Sequence, residues 1–194
     1  MKTIKQILFP ILALVLFLQS DLFSQADQQA EMQAWMEYMT PGDIHKMLAT
    51  SDGEWTGQVT MWMDPNAAPT VSAGTSSSKM IMGGRYQQST FSGNMMGMPF
   101  EGISITGYDN AKKKFVSSWI DNMGTGIMTM DGTWDEGTKT INFSGQQIDP
   151  LTGKMCDIRE TFTIVDANNQ VMEMFMTKDD AKEIKTMEIK FTRK

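Results

Sequence analysis

The chain has 194 residues, with 17 Lys and Arg against 23 Asp and Glu, one His and one Cys. This length predicts one domain, with room for a short extension. The formal charge of −6 argues against nucleic-acid binding, which requires a basic face. A single Cys excludes an internal disulfide, and with a single His it excludes the zinc and iron–sulfur sites built from several such ligands. With 41% hydrophobic and 21% charged residues, the composition is typical of a globular protein.

The chain begins with a segment that has the parts of a secretory signal peptide. Lys2 and Lys5 form a basic start, an apolar run follows over residues 7–18, and a Ser-Gln-Ala sequence closes the segment. The run is shorter than the ~20 residues that a membrane-spanning helix needs. We interpret residues 1–26 as a signal peptide that is cleaved before Asp27. This predicts a secreted or periplasmic bacterial protein with no membrane span after cleavage.

Two helices are predicted next, over residues 27–52. The first presents one apolar face at helical spacing, made of Met32, Trp35, Met36 and Met39. The second covers about 41–49. Thr40 is its predicted N-cap, Pro41 suits the first helical position, and Asp43 stands where a capping box has its acidic partner.

From residue 53 onward the apolar residues recur with a period of two, which is typical of strands. Glycine, asparagine and aspartate clusters separate these runs at hairpin spacing. Counting the runs gives about ten short strands over 53–194. This pattern predicts a mainly β fold, an antiparallel up-and-down barrel that leaves no sheet edge exposed. A β-sandwich with Greek-key crossovers is the alternative, because periodicity does not determine strand order.

Several short motifs occur together in a recognisable order. They are Pro41-Gly42-x-x-His45-Lys46-x-Leu48, Gly53-x-Trp55, Gly83-Gly84-Arg85, Pro99-Phe100-Glu101-Gly102, Gly107-Tyr108-Asp109, Trp119-x-Asp121, Asp149-Pro150-x-Thr152-Gly153 and Phe191-x-Arg193. From Thr40 to Arg193 this pattern resembles the bacterial proteins of domain-of-unknown-function family 1579. The resemblance implies a lipocalin-like, calycin-type barrel. It implies no established activity and supplies no catalytic residue.

Six residues are candidates for a ligand-binding site: His45, Trp55, Arg85, Phe115, Trp119 and Asp121. Gly53-x-Trp55 resembles the start of lipocalin-like barrels, in which a Trp plugs the closed end. Two interpretations of Arg85 are open, a cation–π contact with Trp55 and a solvated strand end. By strand period, Trp119 and Asp121 share a face with Phe115, which is either the barrel interior or a packed outer contact.

His45 is the only side chain whose ordinary pKa lies near neutral pH. As a functional group it would act as a base or ligand at the barrel mouth. As a structural group it would tether its helix to the barrel. Because no residue stands at a spacing that would complete a catalytic triad with it, we favour the structural interpretation.

Methionine is unusually frequent, with 20 residues in the chain. Some alternate along predicted strands, as Met172, Met174 and Met176 do, which is the pattern of an adaptable apolar inner wall. Others cluster in a predicted loop, as Met95, Met96 and Met98 do. Thioethers select Cu(I), so this loop is a weaker alternative as a copper site.

The leading functional hypothesis is that the protein binds a small hydrophobic or amphipathic molecule in a barrel cavity lined by methionine and aromatic side chains. The alternatives are a methionine-rich copper-handling protein and an enzyme with a barrel-mouth site around His45. The sequence favours a non-enzymatic role and predicts no cofactor. The expected partner is a small ligand and not nucleic acid.

Overall fold

The computed structural model describes residues 25, 27–64, 67–178 and 181–194. All of the predicted signal peptide except Gln25 lies outside these residues. Helix α1 covers 27–39. The elements that follow are α2 (Asp43–Ala49), β1 (Gly53–Met61), β2 (Thr70–Ile81), β3 (Tyr86–Met95), β4 (Met98–Asp109), β5 (Lys114–Asp121), β6 (Met128–Asp135), β7 (Thr140–Ile148), β8 (Met155–Ile164), β9 (Asn169–Lys178) and β10 (Ile184–Arg193). Among the described helices, none has the length and apolar character needed to span a membrane.

The described part of the chain divides into two units at the junction between Thr40 and Pro41. The helix α2 therefore belongs to the same unit as the strands, although the sequence analysis groups it with α1. The predicted N-cap of α2 is wrong by two residues. Thr40 donates its hydroxyl to the Met36 carbonyl oxygen at 2.5 Å, so it satisfies the end of α1, and Gly42 occupies the N-cap position of α2.

The ten strands form a closed barrel in which each strand pairs antiparallel with its neighbours in sequence. The first and last strands close it, with Trp55 opposite Arg193 and Met61 opposite Met187. The mainly β, up-and-down barrel of about ten strands is therefore confirmed, and the sandwich alternative is wrong. Closure pairs the backbone groups of every strand on both sides, which removes the edges that an open sheet would expose.

The register identifies the face of each strand that points into the barrel. On β1, buried Trp55 and Val59 alternate with exposed residues, which marks their face as the inner one. Residues directly opposite each other on paired strands point to the same face of the sheet. Following these pairs from β1 therefore identifies the inward-facing residues of every other strand. The positions described below as inward-facing are assigned in this way.

The two ends of the barrel differ. Four hairpins, β2–β3, β4–β5, β6–β7 and β8–β9, meet at one end with α2, which contacts β2, β3 and β4. We call this the capped end. The opposite end carries the remaining connections, and we call it the uncapped end. Leu48 of α2 packs into a buried cluster on β5 to β8 that consists of Phe115, Met130, Ile141, Phe143 and Ile158.

Candidate functional site

Trp55 plugs the capped end, as its motif implies. Its side chain is 1% exposed, and its indole N–H donates to the Ser51 carbonyl oxygen at 3.0 Å. The Arg193 guanidinium lies over the ring, 4.2 Å from its centroid, and also donates to the Thr50 carbonyl oxygen at 2.8 Å. The last strand, β10, therefore holds the segment between α2 and β1 in place at the point where β10 pairs with β1 to close the barrel. The buried Trp55 side chain therefore presents almost no surface to a ligand.

Arg85 does not make the cation–π contact that one of its two interpretations proposes. Its side chain is exposed and donates to the Met82 carbonyl oxygen at 3.0 Å, within the β2–β3 hairpin. Arg193 occupies the position over Trp55 instead. The structure thus places Arg85 as the solvated strand-end residue of the second interpretation.

His45 lies at the capped end rather than at a barrel mouth. It is 5% exposed, its Nδ1 accepts the Gly42 backbone N–H at 3.0 Å, and its ring meets Tyr108 edge-on with centroids 5.9 Å apart. Burial lowers the pKa of His45; the Tyr108 backbone opposes this shift and the charge of Arg85 reinforces it. A neutral imidazole that caps α2 and packs on β4 performs the tethering that the structural interpretation predicts.

Buried amides complete the seal at the capped end. Gln87 donates to the Leu48 carbonyl oxygen at 2.8 Å and to the Asp52 carboxylate at 2.9 Å. Gln170 donates to the Ser51 hydroxyl oxygen at 2.7 Å. The first of these bonds reaches the Leu48 backbone carbonyl, which also accepts the Ser51 N–H, and the other two join side chains of the segment after α2 to the barrel wall. The sequence analysis does not identify either glutamine.

Phe115 belongs to the packed interior and not to an accessible wall. It is 0% exposed, and its ring meets Tyr108 and Phe143 edge-on at centroid distances of 5.0 Å and 6.2 Å. Through these packing contacts, the Phe115 ring connects α2 and β4 with the buried cluster on β5 to β8. The predicted face that it shares with Trp119 is the barrel interior, but only part of that interior is filled.

Trp119 faces inward on β5 and remains partly exposed. Its ring stacks on Phe100, with centroids 6.3 Å and planes 19° apart, and its indole N–H donates to Asp121 at 2.7 Å. The other Asp121 carboxylate oxygen accepts the Met123 backbone N–H at 2.8 Å. A Cβ at Gly102 would lie 2.2 Å from the Trp119 ring, so glycine there lets the indole lie flat against β4.

The inner surface of the barrel has two different walls. The first, the hydroxyl wall, lies on β2 to β5, where aromatic residues including Trp119 share the inner face with a group of hydroxyl side chains: Ser76, Ser78, Ser89, Ser104, Thr106 and Ser117. The second, the methionine wall, lies on β6 to β10 and includes Met128, Met130, Met172, Met174, Met176 and Met187. Hydrogen bonds join Ser78 to Ser89 at 2.7 Å and Thr106 to Ser117 at 3.2 Å. One wall therefore offers polar groups, and the other offers soft apolar surface.

Several inward-facing side chains in the middle of their strands keep accessible surface. Ser89 and Ser104 do so on the hydroxyl wall, and Met174 does so on the methionine wall. Because these residues lie far from both barrel ends, we interpret their exposure as space left inside the barrel. The interior is densely packed around the buried cluster beneath α2, and the partly exposed inward-facing residues mark where it is less completely filled.

Glu160 also faces this interior, and the sequence analysis does not identify it. Its strand neighbours across the ladder are Phe143 on β7 and Met174 on β9. The side chain is partly buried and has no hydrogen-bond or ion-pair partner among the described residues. Burial raises the pKa of Glu160 to about 7. In the sequence, Glu160 is recognisable because it lies two residues from both Ile158 and Phe162, on a strand face that is otherwise apolar.

The methionines of the predicted loop form the β3–β4 hairpin. Met95 and Met98 pair across it, and Met96 with Gly97 forms the turn, both at positive φ as in type I′ turns. Among the described residues there is no group of three His, Cys, Asp or Glu side chains that could hold a metal. The hairpin contributes to a ring of exposed apolar side chains at the uncapped end: Met63, Met96, Met98, Met123, Ile127, Ile148, Leu151 and Met155.

A closed antiparallel barrel, sealed by a helix at one end and accessible inside, places the chain among the small β-barrel proteins whose interior either fills with side chains or holds one ligand. Residues 40–193 match the family described as protein of unknown function DUF1579, and the chain belongs to this family. No curated protein matches the chain.

Among solved structures, Rv2717c from M. tuberculosis is similar to the chain. The match has a TM-score of 0.58 and 12% sequence identity, and it covers 80% of this chain and 99% of the other. At this identity the likeness shows a shared fold alone.

Proposed function

We propose that the protein binds one small hydrophobic or amphipathic molecule inside the barrel. The observation that carries this proposal is the accessible surface of inward-facing residues in the middle of the strands, including Ser104 and Met174. A barrel whose role was only structural would gain stability by filling that space, because empty volume forfeits packing contacts. The methionine side chains that bound this space are flexible, so they can adjust to the shape of a ligand.

The two inner walls favour a ligand with two kinds of surface. Its apolar body would contact the methionine wall, and a polar edge would face the hydroxyl wall. Ser104 lies between Ser89 and Trp119 in the ladder, and its hydroxyl has no hydrogen-bond partner among the described residues. A ligand hydroxyl or carbonyl group placed there would gain a hydrogen bond without displacing one within the protein.

The uncapped end offers the route by which such a molecule reaches the interior. Its connections carry exposed apolar side chains, of which Leu151 is 89% exposed and Met96 is 66% exposed. Large exposed apolar side chains grouped at one end of a barrel favour a role in interaction. The capped end provides no such route, because Trp55, His45 and Gln87 are buried there and hydrogen-bonded.

The proposal is tested by titrating the protein with Nile red, an uncharged apolar fluorophore. We expect saturable binding at one site per chain, a negative heat-capacity change and a change in Trp119 emission. Replacing Trp62, whose ring lies beside Lys185 on the outer surface, provides a matched control that should leave binding unchanged. Absence of saturable binding would show that the barrel is not a receptor for apolar molecules.

The N-terminal sequence supports a second part of the proposal, that this binding takes place outside the cytoplasm. Residues 1–26 have the basic start, short apolar run and small-residue end of a signal peptide. We expect the exported protein to begin at Asp27 or within a few residues of it. Intact-mass measurement of protein recovered from the periplasm and the medium tests this, and exported protein that retains residues 1–26 would contradict it.

A further inference from the structure

We infer that the ligand carries a basic nitrogen on an apolar body and that the nitrogen binds the carboxylate of Glu160 inside the barrel. This inference rests on the proposed function and specifies the chemical class of the ligand. It starts from a carboxyl group that the structure holds on the inner wall without a partner of its own.

The position of Glu160 is that of a ligand contact rather than a structural one. It stands in the middle of β8, on the face of Ile158 and Phe162, with Phe143 and Met174 directly opposite on the neighbouring strands. A carboxylate so enclosed is unfavourable unless it is paired and hydrogen-bonded. Among the described residues nothing pairs with it. A cationic group on the ligand would supply the missing partner.

The other charged groups of the inner wall do not compete for this role. Lys178 is the one inward-facing lysine of the described strands, and it lies at the uncapped end, where its Nζ contacts Asp149 at 2.8 Å. Asp121 is engaged by Trp119 and the following turn. The remaining ionisable groups that face the interior of the described strands and α2 are Cys156 on β8, which is buried beside Lys178, and, at the capped end, neutral His45, Tyr108 and the Arg193 guanidinium over Trp55.

This distribution of charge selects a cation over an anion. A ligand carboxylate in the same space would meet Glu160 and find no free inward-facing cation among the described strands. An ammonium group would meet one carboxylate, with the aromatic residue Phe162 and polarizable thioethers such as Met174 beside it on the inner wall. The net charge of −6 attracts cations to the protein as a whole.

Proton exchange follows from this arrangement. Burial raises the pKa of Glu160 to about 7, so the empty barrel holds the protonated acid below neutral pH and the carboxylate above it. An alkylammonium ion binds the carboxylate form, and below pH 7 its binding releases one proton to the solvent. The affinity for an amine should therefore fall with falling pH, whereas the affinity for an uncharged alcohol should change little.

The experiment is displacement of Nile red from the full mature chain by decylamine, decanol and decanoate, which share one alkyl chain. At pH 8.5 we expect decylamine to bind at least tenfold more tightly than decanol, and decanoate to bind most weakly. At pH 5.5 the advantage of the amine should fall to threefold or less. In Glu160→Gln the advantage should disappear at pH 8.5, with the affinity for decanol within threefold of the original.

Two further variants separate charge from packing. Glu101→Gln makes the same change at an exposed, outward-facing position of β4 and should leave the preference intact. Glu160→Asp keeps a carboxylate with a shorter reach and should retain part of the preference. Equal binding of decylamine and decanol, or a preference that survives in Glu160→Gln, would overturn the inference while Nile red binding upholds the proposed function. Failure of Nile red and all three decyl compounds to bind would overturn both.

Discussion

The capped end and the accessible interior of this barrel handle buried polar groups in opposite ways. At the capped end, the indole of Trp55, the imidazole of His45 and the amide of Gln87 each meet a partner within 3.0 Å. Further inside the barrel, Glu160 and Ser104 face space without a partner among the described residues. Satisfied polar groups contribute to a stable fold, whereas an unsatisfied one lowers stability and is available to a ligand. The comparison predicts that substitutions at the two places change different properties.

The largest effect is expected at the capped end. Trp55→Ala removes a fully buried indole, its hydrogen bond to Ser51 and its contact with Arg193. We expect a loss of about 3–5 kcal/mol in the free energy of unfolding, the usual range for a buried aromatic residue. Urea denaturation measures this loss. As a control, Trp35→Ala at an exposed position of α1 should change the stability by less than about 0.5 kcal/mol.

Glu160 should show the opposite behaviour, because its carboxylate lowers the stability of the empty protein. The pKa is about 7 in the fold and 4.5 in its ordinary state, so the native state holds the extra proton between these values. Stability therefore falls as pH rises from 4.5 to 7. Since the side chain keeps partial exposure, we expect Glu160→Gln to be more stable than the original by about 1–3 kcal/mol at pH 8 and equal to it near pH 4.

Thermal and urea unfolding across this pH range test the Glu160 prediction. Glu101→Gln serves as the control, because it removes the same charge from an exposed outer position. A Glu160→Gln variant that is less stable than the original at pH 8 would mean that the carboxylate has a partner in the folded protein.

Trp119 is expected to affect binding more than folding. Its ring lies at the boundary between the stacked aromatic residues and the accessible interior, and Gly102 leaves room for it. We expect Trp119→Ala to weaken Nile red binding by about 1–3 kcal/mol, the scale of one large apolar contact. Fluorescence titration measures this, with Trp62→Ala on the outer surface as the control. Unchanged affinity in Trp119→Ala would place the ligand elsewhere in the barrel.

Much of the fold follows from local sequence patterns. The period of two along the chain marks the strands, and the turn residues between them indicate hairpins, which together predict an up-and-down barrel. Gly83 and Gly84 have positive φ values of 67° and 83° in the β2–β3 turn, as a tight hairpin requires. Trp55 is buried at the capped end, which is the place that its motif implies. These features depend on residues that are close in sequence, which is why they are accessible without coordinates.

The site depends on relations that sequence patterns do not contain. Arg193 reaches Trp55 only because β10 pairs with β1, 138 positions away in the chain. The strand period shows that Phe115 and Trp119 share a face. It does not show that α2 covers Phe115 and leaves Trp119 partly exposed. Glu160 is absent from the candidates that the sequence offers for a related reason. A single acidic residue on an apolar strand face is visible in the sequence, but its lack of a partner is a property of three packed strands.

The smallest effect that we predict concerns His45, which links the two aspects of the capped end, helix capping and packing. His45→Ala removes the acceptor for the Gly42 N–H and the edge contact with Tyr108. We expect a loss of about 1–2 kcal/mol at pH 8, the scale of one helix cap, with Nile red affinity within a few-fold of the original.

Because burial lowers the pKa of His45, the unfolded chain takes up its proton more readily than the native state. The stabilisation by the neutral ring is therefore complete above about pH 6.5 and is lost as pH falls below it, so the gap in stability between the two proteins should narrow with falling pH. Lys46→Ala, at the exposed neighbour that pairs with Asp43, should show no such pH-dependent gap. Loss of Nile red binding in His45→Ala at unchanged stability would instead make His45 part of the ligand site.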